Sequence, residues 1–171
     1  MIQNIKDFLQ YFNSIRRRTI IYAEAVPPEQ LDWVPKPGEL SCRDILWHLA
    51  AAENMFVGAV ATGKWHYSEP VHQIDAGLEE ILTHLQTVHE TATATLQSLA
   101  DTVLYQPRPT LNGPDVKAWR LLLAMVEHEV HHRSQLAVYL ALIGVEPPQI
   151  YGLKMEEIIA ITGETQSTPT S

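Results

Sequence analysis

Only one cysteine, Cys42, stands in 171 residues, so no disulfide can form within the chain, and a lone thiol is compatible with a reducing compartment. Basic residues are also scarce. Twelve Lys and Arg face twenty Asp and Glu, giving a formal charge of -8. Such a balance repels a phosphate backbone, and no cluster of Lys or Arg interleaved with aromatics relieves it, so nucleic acid is excluded as a partner. The one basic run, Arg16-Arg17-Arg18, falls in a helical pattern and reads as a solvated face. Charges break the longest apolar stretches well before ~18 residues, and the chain does not open on a leader with a basic start, an apolar middle and a small-residue cleavage site. A cytoplasmic protein with no membrane partner is expected.

Strand alternation is missing as well, and what is present is helical period. Residues 2–25 carry Ile5, Phe8, Leu9, Phe12, Ile15, Thr19 and Tyr22 at intervals of three and four with no Gly or Pro, which predicts a long amphipathic helix stopped by Pro27-Pro28. A connector to Gly38, pinned by Trp33, leads to a second helix. Ser41 and Asp44 form a capping-box pair at its start, and the apolar row Ile45, Leu49, Ala52, Phe56 ends at Gly63. Residues 64–77 have no period and are long enough to fold over one end of a bundle as a lid. Asp75 is placed to cap a third helix through Leu78, Ile81, Leu85, Val88, Ala92 and Leu96, ending near Asp101. A second long connection, 102–113, holds a little extended structure. Pro114 suits the first turn of a fourth helix with Gly113 as cap, running to the terminating Gly144. A short helix at 155–159 follows Pro147-Pro148. The expectation is an all-α, antiparallel-type four-helix bundle with two long connections and a short C-terminal helix, one domain over 1–162 and a disordered tail at 163–171. A chain of this length buries its core without metal or disulfide.

The chemistry concentrates in His128-Glu129-Val130-His131-His132. Four residues turn a helix by about 400°, so His128 and His132 leave one face a turn apart and can hold one divalent ion between them. His48, on the apolar face of the second helix with Ile45, Ala52 and Met55, supplies a third imidazole. Burying three unpaired imidazoles is costly, and one metal satisfies all of them. His131 sits to the other side of the face and reads as an outer partner or as surface. Gln135 is a candidate to orient metal-bound water, although an interhelical hydrogen bond reads equally well. The literal HExxH match makes Glu129 a candidate general base, but a zinc protease needs strands that this chain lacks, and a surface position is the plainer reading of Glu129. His66, His72, His84 and His89 read singly as structural or solvated. Glu79-Glu80 and Glu156-Glu157 read as solvated faces. Ala50, Ala51 and Ala52 leave room for a ligand pocket beside His48, bordered by the second helix, the fourth helix and the 64–77 loop.

As a set, Leu31 to Gly38 leading into Ser41, Ile45-Leu46-Trp47-His48-Leu49-Ala50 with Glu53, and His128 to Leu136 with Leu142-Ile143-Gly144 and Pro147-Pro148 resemble the DinB/YfiT-like metalloenzyme superfamily over nearly the whole chain. The resemblance implies a four-helix bundle, a metal site carried onto His48, His128 and His132, zinc or nickel as the ion, and a homodimer. It also implies activities among thiol-dependent transferases and isomerases, with a small molecule or a low-molecular-weight thiol as partner. Ser134 departs from the glycine common in that family, which bears on helix packing more than on ligation. The functional expectation is a metal-dependent transferase or hydrolase that activates a thiol or water. The alternative is a non-enzymatic, stress-related bundle that binds metal or a small ligand.

Overall fold

Asn4 accepts a hydrogen bond from the Asp7 amide and Asp101 accepts one from that of Ile5, so two side-chain oxygens satisfy donors at the start of helix α1, Ile5–Glu24. The computed structural model describes residues 2–68 and 76–163. Pro27-Pro28 ends α1, and Pro28–Gln30 forms a short 3₁₀ turn. Helix α2, Cys42–Thr62, opens on the expected Ser41/Asp44 capping box and closes at Gly63 with φ 75°, a left-handed backbone that glycine adopts without a Cβ clash. Helix α3 is Leu78–Gln97. Gly77 takes its cap position with no side-chain hydrogen bond, and Asp75, the expected cap, lies outside the described residues together with His72 and the tail 164–171.

Helix α3 stops at Gln97, earlier than the predicted Asp101, and Asp101–Tyr105 winds into a separate 3₁₀ turn. The fourth helix also starts later than its sequence signals suggest. Residues Pro107–Arg108 (β1) and Val116–Lys117 (β2) pair antiparallel, Pro107 opposite Lys117 and Arg108 opposite Val116. The Ala118 amide then donates to the Gln106 carbonyl at 3.0 Å. That pairing holds 116–117 extended, so Pro114 belongs to the turn between the strands, its carbonyl accepting from the Thr110 hydroxyl, and α4 spans Ala118–Leu142. Its C-terminus is a Schellman motif: Gly144 at φ 81°, with Val145 donating to Leu140 and Gly144 to Ala141. Helix α5, Met155–Gly163, has no buried residue and runs past the short helix expected at 155–159.

Helices α1 to α4 form the bundle, and its core divides by height. One apolar cluster joins Phe8 and Phe12 of α1, Phe56 and Val60 of α2, Ala92 and Leu96 of α3, and Leu122 and Met125 of α4. The other joins Tyr22, Ile45, Leu49, Leu85, Leu136 and Leu140. The connector Trp33 packs edge-on against Tyr139, with centroids 5.4 Å apart, as its reading as an anchor requires. By length and composition α2 could cross a membrane, yet 56% of that stretch is buried inside the bundle, and packing accounts for its apolarity. Arg16, expected on a solvated face, is only 3% exposed, whereas Arg17 is exposed.

No part of either cluster depends on a metal, and both bury large side chains from all four helices. Chelator-treated protein is expected to keep the far-UV circular dichroism of a helical bundle and to unfold cooperatively; a non-cooperative melt after chelation would make the histidine site structural.

Candidate metal centre

Helix periodicity brings His128 and His132 to the same face of α4, and packing of α2 against α4 carries His48 to meet them. His48 Nε2 lies 2.9 Å from His128 Nε2, and His132 Nε2 lies 3.1 Å from the same atom. The candidate ligand atoms all fall within 4.8 Å of one another. A four-coordinate ion with bonds of about 2.05 Å separates its nitrogen ligands by roughly 3.3 Å, close to the two contacts made by His128 Nε2. His131, on the neighbouring turn position, is exposed and stacks edge-on against His132 at 5.0 Å without joining the three.

The other ring nitrogens are held from outside. His132 Nδ1 lies 2.6 Å from Gln135 Oε1, and His48 Nδ1 lies 2.8 Å from the Tyr67 hydroxyl. With Nδ1–H donated to each oxygen, both rings aim an Nε2 lone pair inward. His128 Nε2 can then donate a proton to only one of its two neighbours, which leaves unshared lone pairs facing each other until a cation collects them. Burial, followed by repulsion from His132, His48 and His131, holds His128 down to about 3. Burial likewise holds His132 down to about 4, opposed by its bond to Gln135, and burial lowers His48. The imidazoles are therefore neutral at pH 7, the form that binds a metal.

Aromatic rings wall one side of the triad. Phe56 lies 6.0 Å from His128 and 5.5 Å from Trp65, whose indole N–H donates to the Pro109 carbonyl. Arg108 in turn donates to the Val60 carbonyl near the end of α2. The segment after α2 is thus fixed by the strand-bearing connection, and this places Tyr67 over His48.

Several expected roles fall elsewhere. Gln135 has its oxygen engaged by His132, an intrahelical orienting bond. Glu129 is neither a surface residue nor beside the triad as a base: it is 2% exposed and bonded to Arg16. His89 is buried between Glu53 and Asn13. His84 packs against Trp47 and His66 meets Ser68. The cavity beside α2, about 410 Å³, is bordered by Trp47, Ala51 and Met55 with Lys64, His66 and His84, so α3, not α4, forms its far wall. A groove of about 640 Å³ between α1 and α3 carries no triad residue. Cys42 is fully buried and its thiol is pushed up to about 11 by burial, which removes it as a nucleophile. Tyr67 is the residue that sequence reading missed; its only signal was an aromatic hydroxyl in an aperiodic loop.

A model of the DinB family matches residues 1–165. This chain belongs to the DinB family. Two crystal structures of DinB-like proteins share its fold: one from Bacillus cereus at 21% identity and a TM-score of 0.75, covering 88% of this chain and 100% of that one. The other, from Bacillus subtilis, has 21% identity and a TM-score of 0.67, covering 84% of this chain and 96% of that one. At such identity the likeness speaks for the DinB architecture alone. No curated protein matches the sequence significantly.

Histidines lowered in the folded state give a signed pH dependence. Unfolded, His128 and His132 take up protons near 6.5; folded, they resist until about 3 and about 4. The unfolded state therefore binds more protons in between, and this share of metal-free stability is complete above pH 6.5 and lost as pH falls toward 4. Urea midpoints of chelated protein are expected to drop between pH 7 and pH 4, more steeply than in a His128→Gln/His132→Gln variant. Equal slopes would show that the imidazoles are not desolvated.

Proposed function

We propose that this DinB-family chain is a metal-dependent enzyme, a thiol-dependent transferase or a hydrolase, with His48, His128 and His132 as the ligands of one divalent ion. The observation that carries the reading is the convergence of three neutral, inward-facing imidazole nitrogens. Zinc and nickel both suit a set of neutral nitrogen donors. Among the described residues the cluster offers three ligands and no carboxylate or thiolate, so the positive charge of a divalent ion stays uncompensated by protein. When bound, such an ion lowers the pKa of a thiol or water and so supplies an anionic nucleophile near neutral pH.

The surrounding residues have separate parts in that chemistry. Gln135 holds His132 in the tautomer that turns Nε2 inward, and the Tyr67 hydroxyl does the same for His48. Phe56 and Trp65 supply an apolar wall that keeps water from one side and offers contact to the carbon skeleton of a substrate. The buried Cys42 provides no nucleophile, so a thiol for group transfer comes from a small-molecule partner.

Reconstituted wild-type protein is expected to hold one ion per chain, measured by elemental analysis after gel filtration. Each single His→Ala variant should bind weakly, and the His48→Ala/His128→Ala/His132→Ala variant should retain none. Stoichiometric metal at wild-type affinity in that triple variant would refute the ligand assignment. Cobalt-substituted protein should change its visible absorption when a low-molecular-weight thiol is added, with the response lost in His132→Ala. A bound cobalt that ignores thiols, substrate analogues and pH would remove the enzyme and leave a metal-binding module.

A further inference from the structure

Four charged or titratable side chains, one from each bundle helix, meet at mid-height. Arg16 of α1, Glu53 of α2, His89 of α3 and Glu129 of α4 are all buried. A single nitrogen, Arg16 Nη2, donates to Glu53 Oε2 and Glu129 Oε2, both at 2.8 Å. Glu53 uses its other oxygen to bind His89 Nδ1 at 2.7 Å, and His89 Nε2 meets Asn13 Oδ1 of α1 at 2.7 Å. One network therefore links all four helices, at the level where the lower apolar cluster ends with Ile15, Phe56 and Ala92 and the upper one begins with Leu49, Val88 and Leu136.

Apolar contacts are non-directional and tolerate repacking, whereas charge-assisted hydrogen bonds fix direction. Among the described residues, Arg16 Nε, Arg16 Nη1 and Glu129 Oε1 have no hydrogen-bond partner. A buried network satisfied only in part adds little to stability compared with apolar packing. Its contribution is orientation. Glu129 lies between His128 and His132 in sequence, and Glu53 lies five residues beyond His48, so the carboxylates gripped by Arg16 belong to the two helices that present the imidazoles. A rotation of 10° sweeps a group about 6 Å from a helix axis through about 1 Å, several times the ~0.2 Å tolerance of a metal–ligand distance.

We propose that Arg16 is a positioning residue, whose guanidinium, shared by Glu53 and Glu129, sets the axial rotation of α2 and α4 and thereby holds His48 against His128 and His132. The inference rests on the metal site proposed above, and its test separates the two. The variant Arg16→Met/Glu53→Gln/Glu129→Gln removes the cation and both carboxylates together while keeping side-chain volume. It is expected to melt cooperatively, to bind cobalt about 10- to 100-fold more weakly in competition with a chelator, and to show displaced visible cobalt bands. Arg16→Lys, which returns a cation to the space between the carboxylates of the wild-type network, is expected to keep the wild-type bands, while Arg16→Gln is expected to lose them; this pair decides the matter if the triple variant does not fold. Wild-type affinity and bands in a folded triple variant, or bands in Arg16→Gln identical to those in Arg16→Lys, would overturn the proposal. A wild-type chain that takes up no cobalt would defeat the metal reading alone. In that case ¹⁵N shifts of the imidazoles of His48, His128 and His132 decide: they move in Arg16→Gln and stay in Arg16→Lys if Arg16 sets their arrangement, and are unmoved in both if it does not.

Discussion

The guanidinium of Arg16 is buried, with two carboxylates drawn to one of its nitrogens. Taking an ion out of water costs several kcal/mol even after relaxation, and removing one member of such a buried group typically costs about 3–5 kcal/mol because the others are left unpaired. The sequence must therefore bring Arg16, Glu53 and Glu129 together whenever the bundle forms. Packings that slide or rotate one helix against another leave a charge stranded in the core, and this constraint selects one arrangement from the many that the apolar clusters alone would accept.

The geometry of the proposed metal site rests on that arrangement. On α4 the pair His128 and His132 is fixed by helix geometry, and on α2 the capping box, the Gly63 stop and the Arg108 bond to Val60 fix the helix ends. What remains free is the relative rotation of the two helices, on which the 2.9 Å approach of His48 to His128 depends. Desolvation then keeps the imidazoles neutral, and Gln135 and Tyr67 turn their lone pairs inward. Packing, protonation state and tautomer all suit the occupant proposed for the triad, a divalent cation.

Much of this was legible in the sequence because it is local. Helix period gave the four bundle helices, Ser41 and Asp44 gave the start of α2, and Gly63 and Gly144 gave two stops, since each signal acts within a turn of itself. The i, i+4 pair and the apolar-face His48 gave the triad. Pro114 and Gly113 misled for the same reason: they satisfy a local rule for a helix start, and a nonlocal pairing of 116–117 with 107–108 overrides it. Glu129 misled in another way. Its place in a literal HExxH string drew attention to its neighbours in sequence, whereas its partner is Arg16, 113 residues away.

The sequence by itself determined the helices, their caps and the residues able to ligate a metal, because hydrogen-bond periodicity and side-chain spacing along one helix need no information from the rest of the chain. Only the tertiary structure decided that Arg16 is buried, that Glu129 is an ion-pair member, that Gln135 serves His132 and that Tyr67 reaches His48. A charged residue on an amphipathic helix reads as solvated until a partner on another helix offsets its desolvation, and that partner is supplied by packing between residues far apart in the chain.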